Sequence, residues 1–174
     1  MATHQGWRRW FDFPNPVNDI AARLVATGVV LLSVSMLVTG EHWLLVPLAY
    51  GFWARVLTGP RLSPLGLLAT RVLVPRLGLP DRPVPGPPKR FAQGVGVVFT
   101  STAVVLHFGF GATSAADVVI GMLVVAASLE AFAGFCLGCW AFGQLMRVGV
   151  IPSSVCVECA DIRRRVPAPR QSAA

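Results

Sequence analysis

Four long apolar runs with short polar breaks between them set the pattern of this chain. No charged residue interrupts the first between Leu24 and Gly40, which predicts a membrane helix over 20–39. Gly40-Glu41-His42 makes a tight turn into a second helix over 43–58, about 24 Å long at about 1.5 Å per residue. Pro47 and Gly51 interrupt it and are expected to kink it, although such breaks also mark transporter sites. Arg55, near its end, is expected to snorkel to the boundary. A third helix over 91–111 carries His107 towards its far end. Ser114-Ala115-Ala116-Asp117 then reads as a capping box with Asp in the fourth place. The fourth helix is expected over 117–147, longer than a bilayer needs. The expected fold class is all-α: a polytopic membrane protein with four transmembrane helices.

The segments between these runs fill in the organisation. Residues 1–19 hold Trp7, Arg8, Arg9, Trp10, Phe11 and Phe13, which favour a membrane–water boundary, and Asn18 or Asp19 can cap the next helix. The long loop 59–90 opens at Leu62-Ser63-Pro64 with a pattern that suits an amphipathic helix on the cytoplasmic surface. From Pro75 to Pro88 there are six prolines, read as an extended tether. Residues 1–147 thus form one membrane domain, and 148–174 a cysteine-containing cytoplasmic tail, disordered after about residue 165.

Composition supports the membrane reading. Charged residues make up 13% of the 174 residues, against roughly 25% in soluble domains, and hydrophobic residues 54%. A net charge of +7 raises the question of nucleic acid, but the arginines flank apolar runs, so anionic lipid is the expected partner and nucleic acid is not. Lys89 is the single lysine. With four crossings, the N-terminus, the long loop and the C-terminus share one side and hold all 15 Lys and Arg residues. The positive-inside rule then places both termini in the cytoplasm and the chain in the cell (inner) membrane, with multiple passes. The apolar run begins only after Arg23, which does not suit a cleaved signal peptide.

Candidate chemistry sits near the end of the fourth run. Cys136-Leu137-Gly138-Cys139 and Cys156-Val157-Glu158-Cys159 hold all four cysteines, with sixteen residues between the pairs. They can merely pack, as small apolar side chains do. They can bind zinc through four thiolates, which the spacing permits, or less readily an iron–sulfur cluster. A dianionic site at a membrane edge is costly, however, and residues three apart on one helix diverge. Dithiol redox or sulfur transfer is the chemistry that pairing favours most. In a continuous helix, Cys136 and Cys139 lie in its C-terminal third, where dipole and desolvation oppose a thiolate. Cys156, before a short helix over 157–165, is expected to be the more acidic thiol and to meet a partner.

Glu130 is the one acid well inside an apolar run, so it is expected to be hydrogen-bonded against other helices or to relay protons. It shares a helical ridge with Ala127, Gly134, Gly138 and Ala141, and the Gly134–Gly138 spacing suits close packing. Cys139 falls on the opposite face, out of reach without a kink. His107 is expected to pack rather than ligate, and no Ser/His/Asp hydrolase pattern or phosphate loop is present.

Phe11-Asp12 with Pro14, Ser63-Pro64-Leu65-Gly66-Leu67, Phe91-Ala92-Gln93-Gly94-Val95-Gly96 and Phe132-Ala133-Gly134-Phe135-Cys136-Leu137-Gly138-Cys139 carry a resemblance. Over roughly residues 10–146 the chain resembles the bacterial membrane-protein family catalogued as domain of unknown function 4395, and its tail is similar to actinobacterial members. The resemblance implies thioredoxin-like or sulfurtransferase partners. The expected function is thiol–disulfide or sulfur handling at the cytoplasmic face. A membrane scaffold with a four-cysteine zinc site is the alternative, and a small-molecule transporter the third. Whether the activity is enzymatic, which cofactor serves it and which oligomer forms stay open at this point.

Overall fold

In a computed structural model that describes residues 13–160, Asn18 starts the first helix. Its Oδ1 accepts from the backbone N–H groups of Ile20 (2.9 Å) and Ala21 (3.4 Å), satisfying two orphan donors at the start of α1, Asp19–Thr39. Because Asn18 does the capping, the Asp19 carboxylate is free for other helices. Gly40, at φ 71°, ends α1 in the left-handed conformation that glycine adopts without a Cβ clash. A turn at His42–Leu44 leads into α2, Leu45–Thr58. Ser63 then caps a helical ridge in which α3, Pro64–Leu67, continues as π-helical Leu68–Leu73 and ends in the turn Val74–Arg76.

The next helix departs from expectation at its start. α4 spans Gly86–Val104 and continues as π-helical Val105–Gly109, so it begins inside the proline-rich run rather than at residue 91. Pro87 and Pro88 occupy its first turn, where their missing N–H groups have no intrahelical partner to lose and their fixed φ suits a helix. Lys89 thereby becomes helical and buried.

α5 runs over Thr113–Ser128 and continues as π-helical Leu129–Ala133. No side chain caps it, so the expected capping box does not form; Asp117 instead accepts from His42 Nε2 at 2.8 Å. The helix expected without interruption over 117–147 is broken. Gly134 adopts φ 67°, and a fresh helix, α6, runs over Leu137–Arg147. A four-residue helix, α7 at Val157–Ala160, closes the described chain. The Trp7–Phe11 segment and the Arg163–Arg165 run lie outside the described residues.

α4 is the central helix: it packs against α2, α5 and α6, while α1 packs against α5. The Phe52 ring on α2 presses onto Gly96 of α4, where any Cβ would have to displace it. Met36, Leu45, Ala103, Ala116 and Ile120 form a fully buried interior. The outside is apolar as well: Val38, Val98, Val118 and Val125 are exposed. An exterior of this kind suits lipid rather than water. Three helical stretches, Asp19–Thr39, Gly86–Gly109 and Thr113–Ala133, are long and apolar enough to cross a membrane.

A two-stranded ribbon, which the sequence pattern does not announce, joins the starts of α1 and α4. β1, Val17–Asn18, pairs antiparallel with β2, Pro83–Val84. Asp19 N–H donates to Arg82 O, and Gly86 N–H donates to Asn15 Oδ1, each at 2.9 Å. The ribbon fixes which charged residues meet at this end of the bundle.

Candidate thiol site

Held by that ribbon, Asp19 on α1 faces Lys89 on α4. Lys89 Nζ lies 2.9 Å from Asp19 Oδ1 and 2.8 Å from Glu130 Oε1, in the π-helical turn after α5. The Lys89 side chain is 8% exposed, so one buried ammonium joins three helical segments. Arg23 adds a further charge, its Nε 3.2 Å from Asp19 Oδ2 though off hydrogen-bond alignment. Glu130 is thus hydrogen-bonded against a neighbouring helix, by an ammonium expected in the long loop 59–90. Being the single lysine, beside an apolar run, was the signal that could have singled it out.

The break at Gly134 decides where the cysteines sit. The Arg23 guanidinium fills the space a Cβ at residue 134 would need, and the positive φ also calls for glycine. Cys136 then falls at the N-cap of α6, and its Sγ accepts from the Cys139 backbone N–H at 3.3 Å. The pair therefore stands at the start of a helix and not in the C-terminal third of one. Gly138 still makes the close contact expected of it, against Ala92 of α4.

Helix N-termini favour anions, so a Cys136 thiolate is favoured here. Its pKa is held below the ordinary thiol value, chiefly by the hydrogen bond from the Cys139 side chain. The Lys89 charge and the Cys139 N–H help, while burial and Glu130 oppose. Giving that hydrogen bond, together with burial, pushes the Cys139 thiol well above the ordinary value. The two sulfurs are unequal: one a nucleophile, the other a proton-holding neighbour.

The second pair is oxidised. Cys156 and Cys159 are joined by a disulfide, while Cys136 and Cys139 are free. Cys156 is buried; Cys159 lines a cavity of about 940 Å³ together with Cys136, Cys139, Lys89 and Glu158. Free thiol pair and disulfide thus share one space. The four sulfurs are not assembled as the single zinc site that their spacing permits. Among the described residues no group of three or more His, Cys, Asp or Glu is placed to hold a metal ion.

A second, smaller cavity of about 90 Å³ lies among the helices, with Glu130, Cys136, Gln93 and Arg55 on its wall. Arg55 does not snorkel. It is 5% exposed, its Nε donates to Gln93 Oε1 at 2.8 Å and its Nη1 to Ser63 Oγ at 3.1 Å. The Gly59–Gly66 stretch folds back and brings Ser63 over it, which helical periodicity cannot reveal. At the far end of the bundle His107 packs, as expected: its ring stacks on His42 at 4.4 Å and its Nδ1 lies 3.1 Å from Thr113 Oγ1.

A family model, Domain of unknown function (DUF4395), matches residues 17–147. The chain belongs to this family. The matched DUF4395 segment begins at β1 and ends with α6, so it contains Asp19, Lys89, Glu130, Cys136 and Cys139, and leaves Cys156 and Cys159 in the tail beyond it. No curated protein and no solved structure shows significant similarity to the chain.

Proposed function

We propose that this DUF4395 protein exchanges thiols and disulfides at the cytoplasmic face of the inner membrane. The carrying observation is that Cys136, a thiol at a helix N-terminus beside Lys89, lines the same cavity as Cys159 of the disulfide. The Cys136 thiolate attacks Cys159 Sγ, forming a Cys136–Cys159 bond and releasing Cys156 as thiolate. Cys139 gives up its proton and attacks Cys136 Sγ, releasing Cys159. Two electrons pass from the Cys136/Cys139 pair to the tail pair. The Cys139 proton ends on the tail pair, which then carries one thiol and one thiolate as the Cys136/Cys139 pair did, so nothing external is consumed. The reduced tail next passes its two electrons to the disulfide form of a thioredoxin-like protein, and a sulfurtransferase is the other partner class. Glu130, which lines the smaller cavity together with Cys136, is the candidate proton acceptor.

The topology we propose has four crossings. α2 with its preceding turn forms the fourth; α2 alone spans roughly 21 Å at about 1.5 Å per residue and is the shortest of the four. The ridge 64–76 then lies on the cytoplasmic surface as an amphipathic helix, and both termini are cytoplasmic because neither turn on the opposite side, at 40–44 and 110–112, holds a Lys or Arg. A disulfide in that reducing compartment suits a cycling bond better than a permanent staple.

Replacing Cys139 by Ser tests the exchange. The attack of Cys136 then has no second thiol to resolve it, and peptide mass spectrometry should find a Cys136–Cys159 link in non-reduced protein. A Cys139→Ser protein that keeps only the Cys156–Cys159 link, with Cys136 fully alkylatable, would end this proposal.

A further inference from the structure

One buried cation at the cysteine end stands apart from its charged neighbours. Arg23 pairs with Asp19, and Lys89 bridges Asp19 and Glu130. Arg55, at 5% exposure, has no salt-bridge partner among the described residues, and its Nη2 is buried with no hydrogen-bond partner among them. A guanidinium held inside a bundle with a free donor edge is costly unless something meets it. Arg55 lines the 90 Å³ cavity, together with Gln93. The Gln93 amide oxygen accepts from Arg55 Nε, which leaves the two donors of its NH2 group on the same side chain. At about 30 Å³ per water, that volume suits roughly three heavy atoms. Most of the remaining wall is apolar, including Val25, Phe99, Leu123 and Ala127, so a strongly hydrated or multiply charged ion is disfavoured. Glu130 on the same wall is already engaged by Lys89, which reduces its repulsion of an anion.

We propose that this cavity binds a small, weakly hydrated monoanion of about three heavy atoms, held by the free edge of Arg55 and by Gln93, with Cys136 on the wall. The site does not require thiol exchange. It puts an anion-binding function beside the sulfur and gives Arg55 a task other than packing.

Thiocyanate is the probe, because its nitrile stretch reports on its surroundings by infrared spectroscopy. The full chain in lipid nanodiscs should show a shifted, narrowed band that saturates at one ion per chain. Arg55→Gln, which removes the charge and one donor edge, should weaken binding by about ten- to a hundredfold, the range for loss of a charge-assisted hydrogen bond. Ala127→Leu should weaken it similarly by filling the cavity with Arg55 intact, and it decides the matter if Arg55→Gln does not fold. Cys159→Ser, which lies outside this cavity, should bind as the parent does even though exchange is lost. No saturable band in the parent, or undiminished affinity in Ala127→Leu, overturns the site. Loss of binding in Cys159→Ser places the anion at the tail disulfide and overturns the assignment to Arg55.

Discussion

Two polar clusters tie the same three parts of the bundle, one at each end. At the cysteine end Asp19, Lys89 and Glu130 join α1, α4 and the turn after α5. At the other end His42, His107 and Asp117 join the turn after α1, the end of α4 and the start of α5. The histidine end closes tight turns with a stacked ring pair and one contact to a half-exposed carboxylate. The cysteine end uses fixed charges, adjoins two cavities and interrupts the chain at Gly134 so that a sulfur arrives beside the charges. A tie of similar form thus serves closure in one place and reactivity in the other. What separates them is a broken helix, not the number of polar groups.

The comparison can be broken most severely at Lys89. Lys89→Met takes the ammonium from the part-buried Glu130 and leaves Asp19 with Arg23 alone, and should cost about 3–5 kcal/mol, read as lost folded protein in detergent and a lower unfolding temperature. Next comes Gly134→Ala. The φ of 67° alone costs about 1–2 kcal/mol for a residue with a Cβ, and the Arg23 guanidinium must also move. Slower Cys136 alkylation in that variant should accompany the lost stability. Asp117→Asn at the histidine end should cost roughly 0.5 kcal/mol, since a partly exposed pair is worth little, and should leave Cys136 alkylation unchanged. An Asp117→Asn protein with altered Cys136 reactivity would show that the two ends are coupled.

The smallest effect is in pH dependence. Cys136 should alkylate with an inflection below that of a free thiol, because its lowered pKa leaves more thiolate at neutral pH. Removing its largest cause, with Cys139→Ala, which has no side-chain donor, should move the inflection of any unlinked Cys136 upward. An inflection that stays in place would assign the shift to the helix N-terminus and Lys89 instead.

Apolar runs made α1, α2 and the bodies of α4 and α5 legible, because lipid-facing and core positions both demand apolar residues. The cysteine end was less legible for three reasons. Gly134 and Gly138 share a spacing that suits close packing in one helix, yet only Gly138 packs that way; Gly134 turns the chain. Pro87 and Pro88 look like tether, and only the position of the helix start separates a breaker from a first-turn residue. Arg55 resembles a snorkelling side chain because its partners, Ser63 and Gln93, come from a folded-back loop and another helix. Pairing of the cysteines was visible in the sequence; their inequality was not, since it depends on the helix restart at Leu137.

The β1–β2 ribbon sets an order of assembly. Val17 and Asn18 are made long before their partners Val84 and Pro83, with α1, α2 and the whole ridge between. Asp19 therefore leaves the ribosome well ahead of the lysine that neutralises it, and Glu130 follows later still. Until β2 emerges, that carboxylate has only nearby Arg23 and water to meet it. Everything from α1 to the ridge is thus made before the ribbon can draw that charge inward.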